Sequence, residues 1–278
     1  MSTISAKDVK RLRDTTGVGM MDCKKALQEA NGDFEAAIEL LRKKGQKVAD
    51  NRAEREASEG VITTAATDDH AVSVIAEVNS ETDFVARNEE FTSYADRITA
   101  LILRERPADL DALRALDFEG GRTIGESITD MTGKIGEKIE VSRFAILEAG
   151  DGNQIVTYIH PGAKLGVLVE MKGEGDAAEA GRDVAMQVAA MNPVAANRDE
   201  VPEEVKQKEL EIGREAARNE GKPDHILDRI AQGKLERYYK DNVLVDQPFV
   251  KDSSMTVEEM LKKSGFEIVR YVRYALGS

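Results

Sequence analysis

Residues 71–91 read AVSVIAEVNSETDFVARNEEF, and this stretch is the most informative part of the sequence. The apolar run 71–78 predicts a β-strand, and the segment that begins at Glu89 has the apolar spacing of a helix. The junction between the two is Thr82-Asp83-Phe84-Val85. A carboxylate next to a large apolar ring at such a junction can be held rigidly and inserted into a partner protein.

Phe84 has two possible roles at this junction. A single Phe that follows a strand is usually a core residue, and the pattern alone favours that role. A rigid loop, however, would expose either Phe84 or its neighbour Asp83. An exposed Phe contributes roughly 1.5–3 kcal/mol when it enters a partner's pocket, which is enough to anchor an interface. The residues alone leave both roles open.

A second copy of this pattern follows farther along the chain. Segments 155–157 and 165–171 predict another strand pair, with a helix from about 177 to 191. Four residues recur at one offset of 93 positions: Val74, Glu77, Glu81 and Asp83 recur as Val167, Glu170, Glu174 and Asp176. Four identities could arise by chance, but the shared order of elements favours a duplication. The prediction is an α+β fold with a duplicated strand-strand-helix core, in which the first copy alone carries the ring.

The N-terminal residues predict a three-helix unit that is similar to a ubiquitin-associated module. Ser5 is suited to cap a first helix that ends at Gly17. A second helix spans 20–30, and Asp33 caps a third helix that we expect to end at Gly45. Segment 43–59 is densely charged, so it is interpreted as a linker, whether helical or not.

Residues 200–241 differ from the rest because about half of them are charged. The break Gly221-Lys222-Pro223-Asp224 separates two helical segments. The expected apolar seam is thin and contains Val205, Leu210, Ile212, Leu227, Ile230 and Leu235. This pattern predicts a projecting, coiled-coil-like antiparallel hairpin, with a pair of ordinary surface helices as the alternative. A short helix at 255–263 and a strand at 266–274 then return to one of the sheets.

The predicted domains follow from these segments. They are a three-helix domain at 1–52, a first core subdomain at 53–145, a second at 146–199, the helical hairpin at 200–241, and the return to the core at 242–278.

Composition excludes several classes of function. A net charge of −13 argues against a general nucleic-acid binder and against binding to anionic membranes, although a local basic patch is possible. The first turns are too charged for a signal peptide, and no apolar run approaches the roughly 18–20 residues of a membrane span. We therefore expect a soluble, cytoplasmic protein.

The sequence shows no convincing catalytic site. His70, His160 and His225 are far apart and lack companions at metal-ligand spacing. No segment matches a phosphate-binding loop. The single cysteine, Cys23, excludes an intrachain disulfide and is interpreted as a partly buried small residue rather than a nucleophile. We expect no enzyme activity, no metal and no cofactor.

Four ordered motifs show a resemblance to a known family. They are segments 9–13 with 16–27, segment 81–88, Gly133-Lys134-Ile135-Gly136-Glu137, and segment 158–162 with 166–169. With these motifs the chain resembles bacterial elongation factor Ts along nearly its whole length. That family usually has Lys where this chain has Arg87, which preserves the charge. Some members carry a further C-terminal helical module, and contacts of that module are not transferred to this sequence.

The resemblance implies guanine-nucleotide exchange on elongation factor Tu, in its GDP-bound and nucleotide-free states. It implies that Thr82, Asp83, Phe84 and Val85 enter near the partner's Mg²⁺ site, where Phe84 acts as a wedge. Further positions implied to contact the partner are Lys10, Arg13, Met20, Met21, Ile135, His160 and Gly162. The hairpin resembles an arm linked to self-association, which implies a possible homodimer or 2:2 complex. Neither direct nucleic-acid binding nor membrane binding is implied.

The main alternative is a non-catalytic scaffold, in which the three-helix unit only tethers a partner. A tether would leave the rate of nucleotide release from a GTPase unchanged, whereas an exchange factor would raise it. An enzyme with a carboxylate site is a third possibility, and its turnover would need no protein partner.

Overall fold

The computed structural model describes residues 4–278 and is divided into two compact units. The first unit contains the described residues up to Thr63, together with Ala76–Phe144 and Leu276–Ser278. The second contains Thr64–Ile75 and Ala145–Ala275. The division into five domains that is expected from the sequence stays a prediction.

Helices and small antiparallel sheets alternate along the chain, which confirms the α+β class. The helices are α1 (Ala6–Thr16), α2 (Met20–Glu29), α3 (Phe34–Arg52), α4 (Asp83–Ala86), α5 (Glu89–Glu105), α6 (Leu110–Ala115), α7 (Ile124–Ile135), α8 (Ala178–Met191), α9 (Glu203–Asn219), α10 (Asp224–Asn242) and α11 (Val257–Ser264). The strands are β1 (Glu59–Ala66), β2 (Val72–Ser80), β3 (Glu140–Glu148), β4 (Gln154–Ile159), β5 (Leu165–Gly173), β6 (Pro248–Phe249), β7 (Asp252–Thr256) and β8 (Phe266–Ala275).

The three N-terminal helices enclose a small core of their own. Ser5 and Asp8 form a reciprocal cap at the start of α1, and Gly17 ends this helix with a φ of 67°. The buried residues of this core are Val9, Leu12, Cys23, Ala26, Leu27, Ala37 and Leu41. These features confirm the predicted three-helix unit.

The expected end of the third helix was wrong. Helix α3 continues through Gly45 to Arg52, so much of the segment interpreted as a linker is helical. Gly45 instead lies where α3 packs on α7, next to Gly133. Gly45 therefore lies at a close helix approach and does not end the helix.

The first sheet has the strand order β1-β2-β3, with β2 in the centre. All nine residues of β2 are buried, although four of them (Ser73, Glu77, Asn79 and Ser80) are polar. Helix α5 buries one face that includes Phe91, Tyr94 and Ile98. Strand β3 was not recognised in the sequence.

The second sheet has the order β4-β5-β8 and is antiparallel throughout. Helix α8 packs on β4 and β5, and α11 packs on β8. Because β8 pairs with β5, the predicted return of the last strand to a sheet is confirmed. The two central strands, β2 at 72–80 and β5 at 165–173, are related at both ends by the offset of 93 residues.

Each sheet also contains an ion pair between an arginine and a buried carboxylate. In the first sheet, Arg143 of β3 donates to the carboxylate of Glu77 of β2 at 2.8 Å. In the second, Arg270 of β8 donates to Glu170 of β5 at 2.6 Å. Glu77 and Glu170 are 6% and 2% exposed. Because the pair recurs at the same place in both sheets, it supports the duplication.

Helices α9 and α10 pack as an antiparallel hairpin, as expected. Their seam differs from the predicted one, because Ile212 is 47% exposed. Gly213 instead faces Ala231 so closely that a Cβ on the glycine would lie 2.8 Å from the Ala231 Cα. Larger residues pack at the base of the hairpin, in a cluster of Ala195, Val201, Leu235, Tyr239 and Val243.

Candidate functional site

The segment between β2 and α5 forms a short capped helix rather than an open loop. Thr82 precedes α4, and its hydroxyl accepts a hydrogen bond from the Val85 amide at 3.5 Å. Asn88 caps the next helix by accepting from the Glu90 amide at 2.8 Å. Two caps within seven residues fix where the chain turns, because each satisfies backbone donors that a helix start leaves unpaired.

This turn directs the Phe84 ring into solvent. Phe84 is 84% exposed, whereas Ala86, on the opposite side of the turn, is buried. Val85 is half-buried. The structure therefore decides between the two roles that the sequence left open: Phe84 is not a core residue. An exposed large ring on an ordered turn is a feature typical of a binding surface.

Asp83 points its carboxylate along the same short helix. It forms an ion pair with Arg87 at 3.0 Å, four residues later. The Arg87 side chain is largely exposed, so this pair contributes little to stability. Its effect is to orient the carboxylate next to the ring.

Glu81 ties the start of this segment to two other elements. It accepts hydrogen bonds from Arg52 of α3 at 2.9 and 2.7 Å, and from the Lys138 amide at 2.7 Å. Burial alone would raise the pKa of Glu81, but the Lys138 amide and Arg52 favour the ionised form more strongly, so the pKa is lowered. The carboxylate is therefore ionised at neutral pH.

Glu137 ties the next residue of the segment. Its carboxylate accepts from the Thr82 amide at 3.0 Å and from the Thr82 hydroxyl at 2.8 Å. The Ser80 hydroxyl donates to the Thr82 carbonyl at 3.0 Å. Three hydrogen bonds therefore hold Thr82, the residue just before the exposed turn.

The other expected contact positions of the first unit lie on exposed surface or at its edge. Lys10 and Arg13 are exposed on α1, and Met20 and Met21, at the start of α2, are 51% and 64% exposed. Ile135 is half-buried at the end of α7.

The end of α7 is where these motifs approach one another. Lys134 forms an ion pair with Glu90 of α5. Its side chain also lies against Gly17, the residue that ends α1, where a Cβ would collide with it. Together with Glu137, which binds Thr82, the end of α7 contacts both the turn after α1 and the segment that carries Phe84.

His160 and Gly162 belong to the second unit and lie in the turn between β4 and β5. Both are exposed, and Gly162 has a φ of 95°. The Nδ1 atom of His160 is 2.9 Å from the Tyr158 hydroxyl, so the ring is oriented by its neighbour on β4. No metal-type environment accompanies it.

Neither a metal site nor a helix that could span a membrane is found among the residues that the structure describes. Among residues 4–278, no group of three or more His, Cys, Asp or Glu side chains is arranged to hold a metal ion. No helix in the same range is both long and apolar enough to span a membrane.

Cys23 is confirmed as a buried residue. Its Sγ donates to the Val18 carbonyl at 3.3 Å, and burial raises the pKa of the thiol. Burial of the sulfur has the largest effect on this pKa, and the neighbouring Lys24 and Lys25 are exposed.

Sequence reasoning missed three residues that hold the segment in place: Arg52, Glu137 and Lys138. Arg52 lies in the segment interpreted as a linker, and Lys138 contributes a backbone amide that no side-chain pattern reveals. Glu137 was quoted as part of a motif, but nothing in its spacing indicated that it binds Thr82.

Comparison with known proteins identifies close similarity to one family. The sequence profile described as Elongation factor TS matches residues 81–278. The chain is 48% identical to Elongation factor Ts of Prosthecochloris aestuarii, over 100% of both chains. It is 47% identical to that of Chloroherpeton thalassium, over 100% of this chain and 99% of the relative. It is 45% identical to that of Alkalilimnicola ehrlichii, over 99% of this chain and 92% of the relative.

Proposed function

Because this chain belongs to the elongation factor Ts family, we propose that it is a guanine-nucleotide exchange factor for elongation factor Tu. In this proposal the chain is not an enzyme and needs no cofactor. It acts in the cytoplasm by inserting the segment Thr82–Val85 near the Mg²⁺ site of the GTPase. The single observation that carries the proposal is the ordered Phe84 ring, 84% exposed to solvent.

The energetics agree with such a role. A nucleotide held by a phosphate-binding loop and Mg²⁺ dissociates slowly, because several contacts must break together. An exchange factor must therefore bind the empty partner more tightly than the loaded one, and the coupling is reciprocal. Each tenfold gain in release needs about 1.4 kcal/mol of differential binding, so a ten-thousand-fold effect needs about 5.5 kcal/mol.

The Phe84 ring can supply a substantial part of that energy. Burial of a Phe side chain contributes roughly 1.5–3 kcal/mol. Asp83 would supply a further part by disturbing the surroundings of the cation, since it lies next to the ring and is already oriented by Arg87. In this proposal the loss of Mg²⁺ contacts weakens the partner's binding of the nucleotide.

The remaining expected residues are assigned to docking. Lys10, Arg13, Met20 and Met21 are proposed to bind the GTPase domain, and Ile135 to bind beside them. Their exposed positions on α1 and α2 support this part. In the second unit, His160 and Gly162 are proposed to bind elsewhere on the partner. The hairpin of α9 and α10 is proposed to mediate self-association, as a homodimer or a 2:2 complex.

The test is a stopped-flow measurement of fluorescent GDP release from elongation factor Tu. The wild-type protein should accelerate release, and Phe84→Ala should lower that acceleration by one to three decades, which corresponds to roughly 1.4–4 kcal/mol. Ile212→Ala is the matched control, because Ile212 is also an exposed large apolar residue but lies on the hairpin. This control should retain wild-type activity.

Two results would contradict the proposal. If the wild-type protein left the release rate unchanged, the chain would be a tether rather than an exchange factor. If Phe84→Ala retained full activity, another surface would carry the exchange. The melting temperature of Phe84→Ala should match that of the wild type, since an exposed ring contributes little to the core.

A further inference from the structure

Two carboxylates join the segment that carries Phe84 to the residues that follow α7. Each carboxylate accepts a hydrogen bond from a backbone amide on the other side. Glu81 of the segment accepts a hydrogen bond from the Lys138 backbone amide at 2.7 Å. Glu137, the neighbour of Lys138, accepts one from the Thr82 backbone amide at 3.0 Å. Two consecutive residues on each side thus exchange backbone-to-carboxylate hydrogen bonds, and we call this arrangement the reciprocal brace.

All four carboxylate oxygens of the reciprocal brace accept hydrogen bonds. The oxygens of Glu81 accept from the Arg52 guanidinium at 2.9 and 2.7 Å, in addition to the bond from Lys138. The second oxygen of Glu137 accepts from the Thr82 hydroxyl at 2.8 Å. The brace therefore connects the segment to both α3 and α7 within the first unit.

A helix as short as α4 needs such external support. It has four residues, far below the roughly 12–15 at which an isolated helix becomes even marginally stable in water. Phe84 is mostly solvated, so its own packing cannot hold the turn in place. Hydrogen bonds to ionised groups are about twice as strong as those between neutral groups. The brace supplies this kind of bond directly at Thr82.

The equivalent segment of the second copy is held differently. There the amide of Gln154 donates to the Gly175 carbonyl at 2.6 Å and accepts from the Ala177 amide at 3.3 Å. That tie is neutral and is made by one side chain, and the segment carries no large ring. The charged reciprocal brace accompanies the copy with the exposed ring.

We propose that Glu81 and Glu137 are positioning residues, which hold Thr82 so that Phe84 is presented to the partner in one fixed orientation. This inference rests on the proposed exchange function. A fixed segment loses less conformational entropy on binding than a mobile one, so more of the ring's burial energy is available for displacing the nucleotide. Loosening the brace should therefore reduce exchange although no partner-contacting side chain has changed.

The first experiment needs no partner. Backbone order parameters of residues 83–87 are measured by NMR in the free protein, for the wild type and for Glu137→Ala. We expect values near about 0.85 in the wild type and below about 0.6 in the variant. Glu140→Ala is the matched control: Glu140 pairs with the Lys138 side chain at 3.0 Å, but it makes none of the hydrogen bonds of the brace. It should leave these values unchanged.

The second experiment measures GDP release from elongation factor Tu at saturating factor. We expect Glu137→Ala to lower the release rate by about tenfold, which corresponds to about 1.4 kcal/mol. Glu140→Ala should match the wild type. Glu137→Gln should fall between them, because the amide keeps one acceptor oxygen for Thr82. If Glu137→Ala does not fold, Glu137→Gln replaces it in both measurements.

The outcomes separate the brace from the proposed function. Unchanged order parameters in Glu137→Ala would overturn the brace, whatever the release rate. A loosened segment with full exchange activity, while Phe84→Ala is impaired, would overturn the positioning role alone. If the segment is loosened but both variants keep full exchange activity, the segment is not the exchange element. That result would overturn the proposed function and this inference with it.

Discussion

Gly45 of α3 and Gly133 of α7 meet where the two helices pack, and the contact is asymmetric. A Cβ placed on Gly133 would lie 2.5 Å from the Gly45 Cα, with the carbonyl carbon and oxygen of Gly45 at 3.2 and 3.3 Å. A Cβ placed on Gly45 would lie 3.6 Å from the Gly133 Cα, an ordinary contact distance. One glycine is required by the packing, and the other is not.

This asymmetry predicts opposite effects for two similar substitutions. Gly133→Ala should destabilise the protein by roughly 1–3 kcal/mol, because backbone atoms of α3 must move to make room. Gly45→Ala should be neutral or stabilising by up to about 1 kcal/mol, because Ala is favoured over Gly inside a helix. Urea unfolding of both variants provides the comparison. Equal losses of stability in the two variants would contradict the asymmetry of this contact.

The ion pair between Arg270 and the buried carboxylate of Glu170 predicts how the free energy of unfolding depends on pH. Burial alone would raise the pKa of Glu170, but the Gly150 amide, Asn153 and Arg270 favour its ionised form and lower the pKa below the ordinary value of 4.5. A carboxylate with a lowered pKa in the folded state stabilises the fold fully above its unfolded value. That contribution is lost as the pH falls from 4.5 through the lower folded pKa.

Arg270→Gln should therefore be less stable than the wild type at pH 7 by roughly 1.5–3 kcal/mol, because a buried carboxylate loses a charged donor. This difference in the free energy of unfolding should become smaller as the pH falls below 4.5, because the wild type then loses more stability than the variant. Arg229→Gln, which removes the same charge at an exposed site on α10, serves as the control. A gap that stays constant down to pH 3 would mean that Arg270 does not influence the ionisation of Glu170.

The tip of the hairpin should be dispensable for exchange. Residues 214–230 can be replaced by a four-residue turn that keeps Gly213, Ala231 and the base cluster. A larger deletion would also remove Leu235, which packs at the base. We expect the shortened protein to retain its melting temperature and most of its exchange activity, while light scattering shows a loss of self-association. A folded variant without exchange activity would instead place the hairpin in the interface with the GTPase.

The sequence predicted those elements whose signals are local. Ser5 and Gly17 mark the ends of α1 in the sequence and in the structure, because caps act within a single turn. Glu77 and Glu170 identified the duplication through their spacing, and the structure adds the arginine that each of them binds. Such features can be predicted from the sequence because they depend on residues that are neighbours in the chain.

Elements that depend on distant neighbours could not be predicted in this way. Gly45 was expected to end α3, but it lies inside the helix because Gly133, far along the chain, packs against it. Ile212 was expected in the hairpin seam, but the small residues Gly213 and Ala231 bring the helices so close that the seam lies elsewhere. Each error comes from a contact between residues that are remote in sequence.

The candidate site shows both cases. Thr82 was recognisable at the junction of strand and helix, but the exposure of Phe84 depends on which way a one-turn helix faces. Glu137, which lies 55 residues after Thr82, hydrogen-bonds to the residue that precedes this helix. The resemblance to a family indicated the residues of the segment, whereas the supports that hold it required the structure.

The solvent position of Phe84 has a practical consequence, because the chain contains no tryptophan. Phe84→Trp would give the protein a single tryptophan, at the position where the initial contact with another molecule is expected. Its emission would start as that of a fully hydrated chromophore and move toward the blue once the ring became desolvated. The encounter could then be followed in real time by intrinsic fluorescence, without a dye on either molecule.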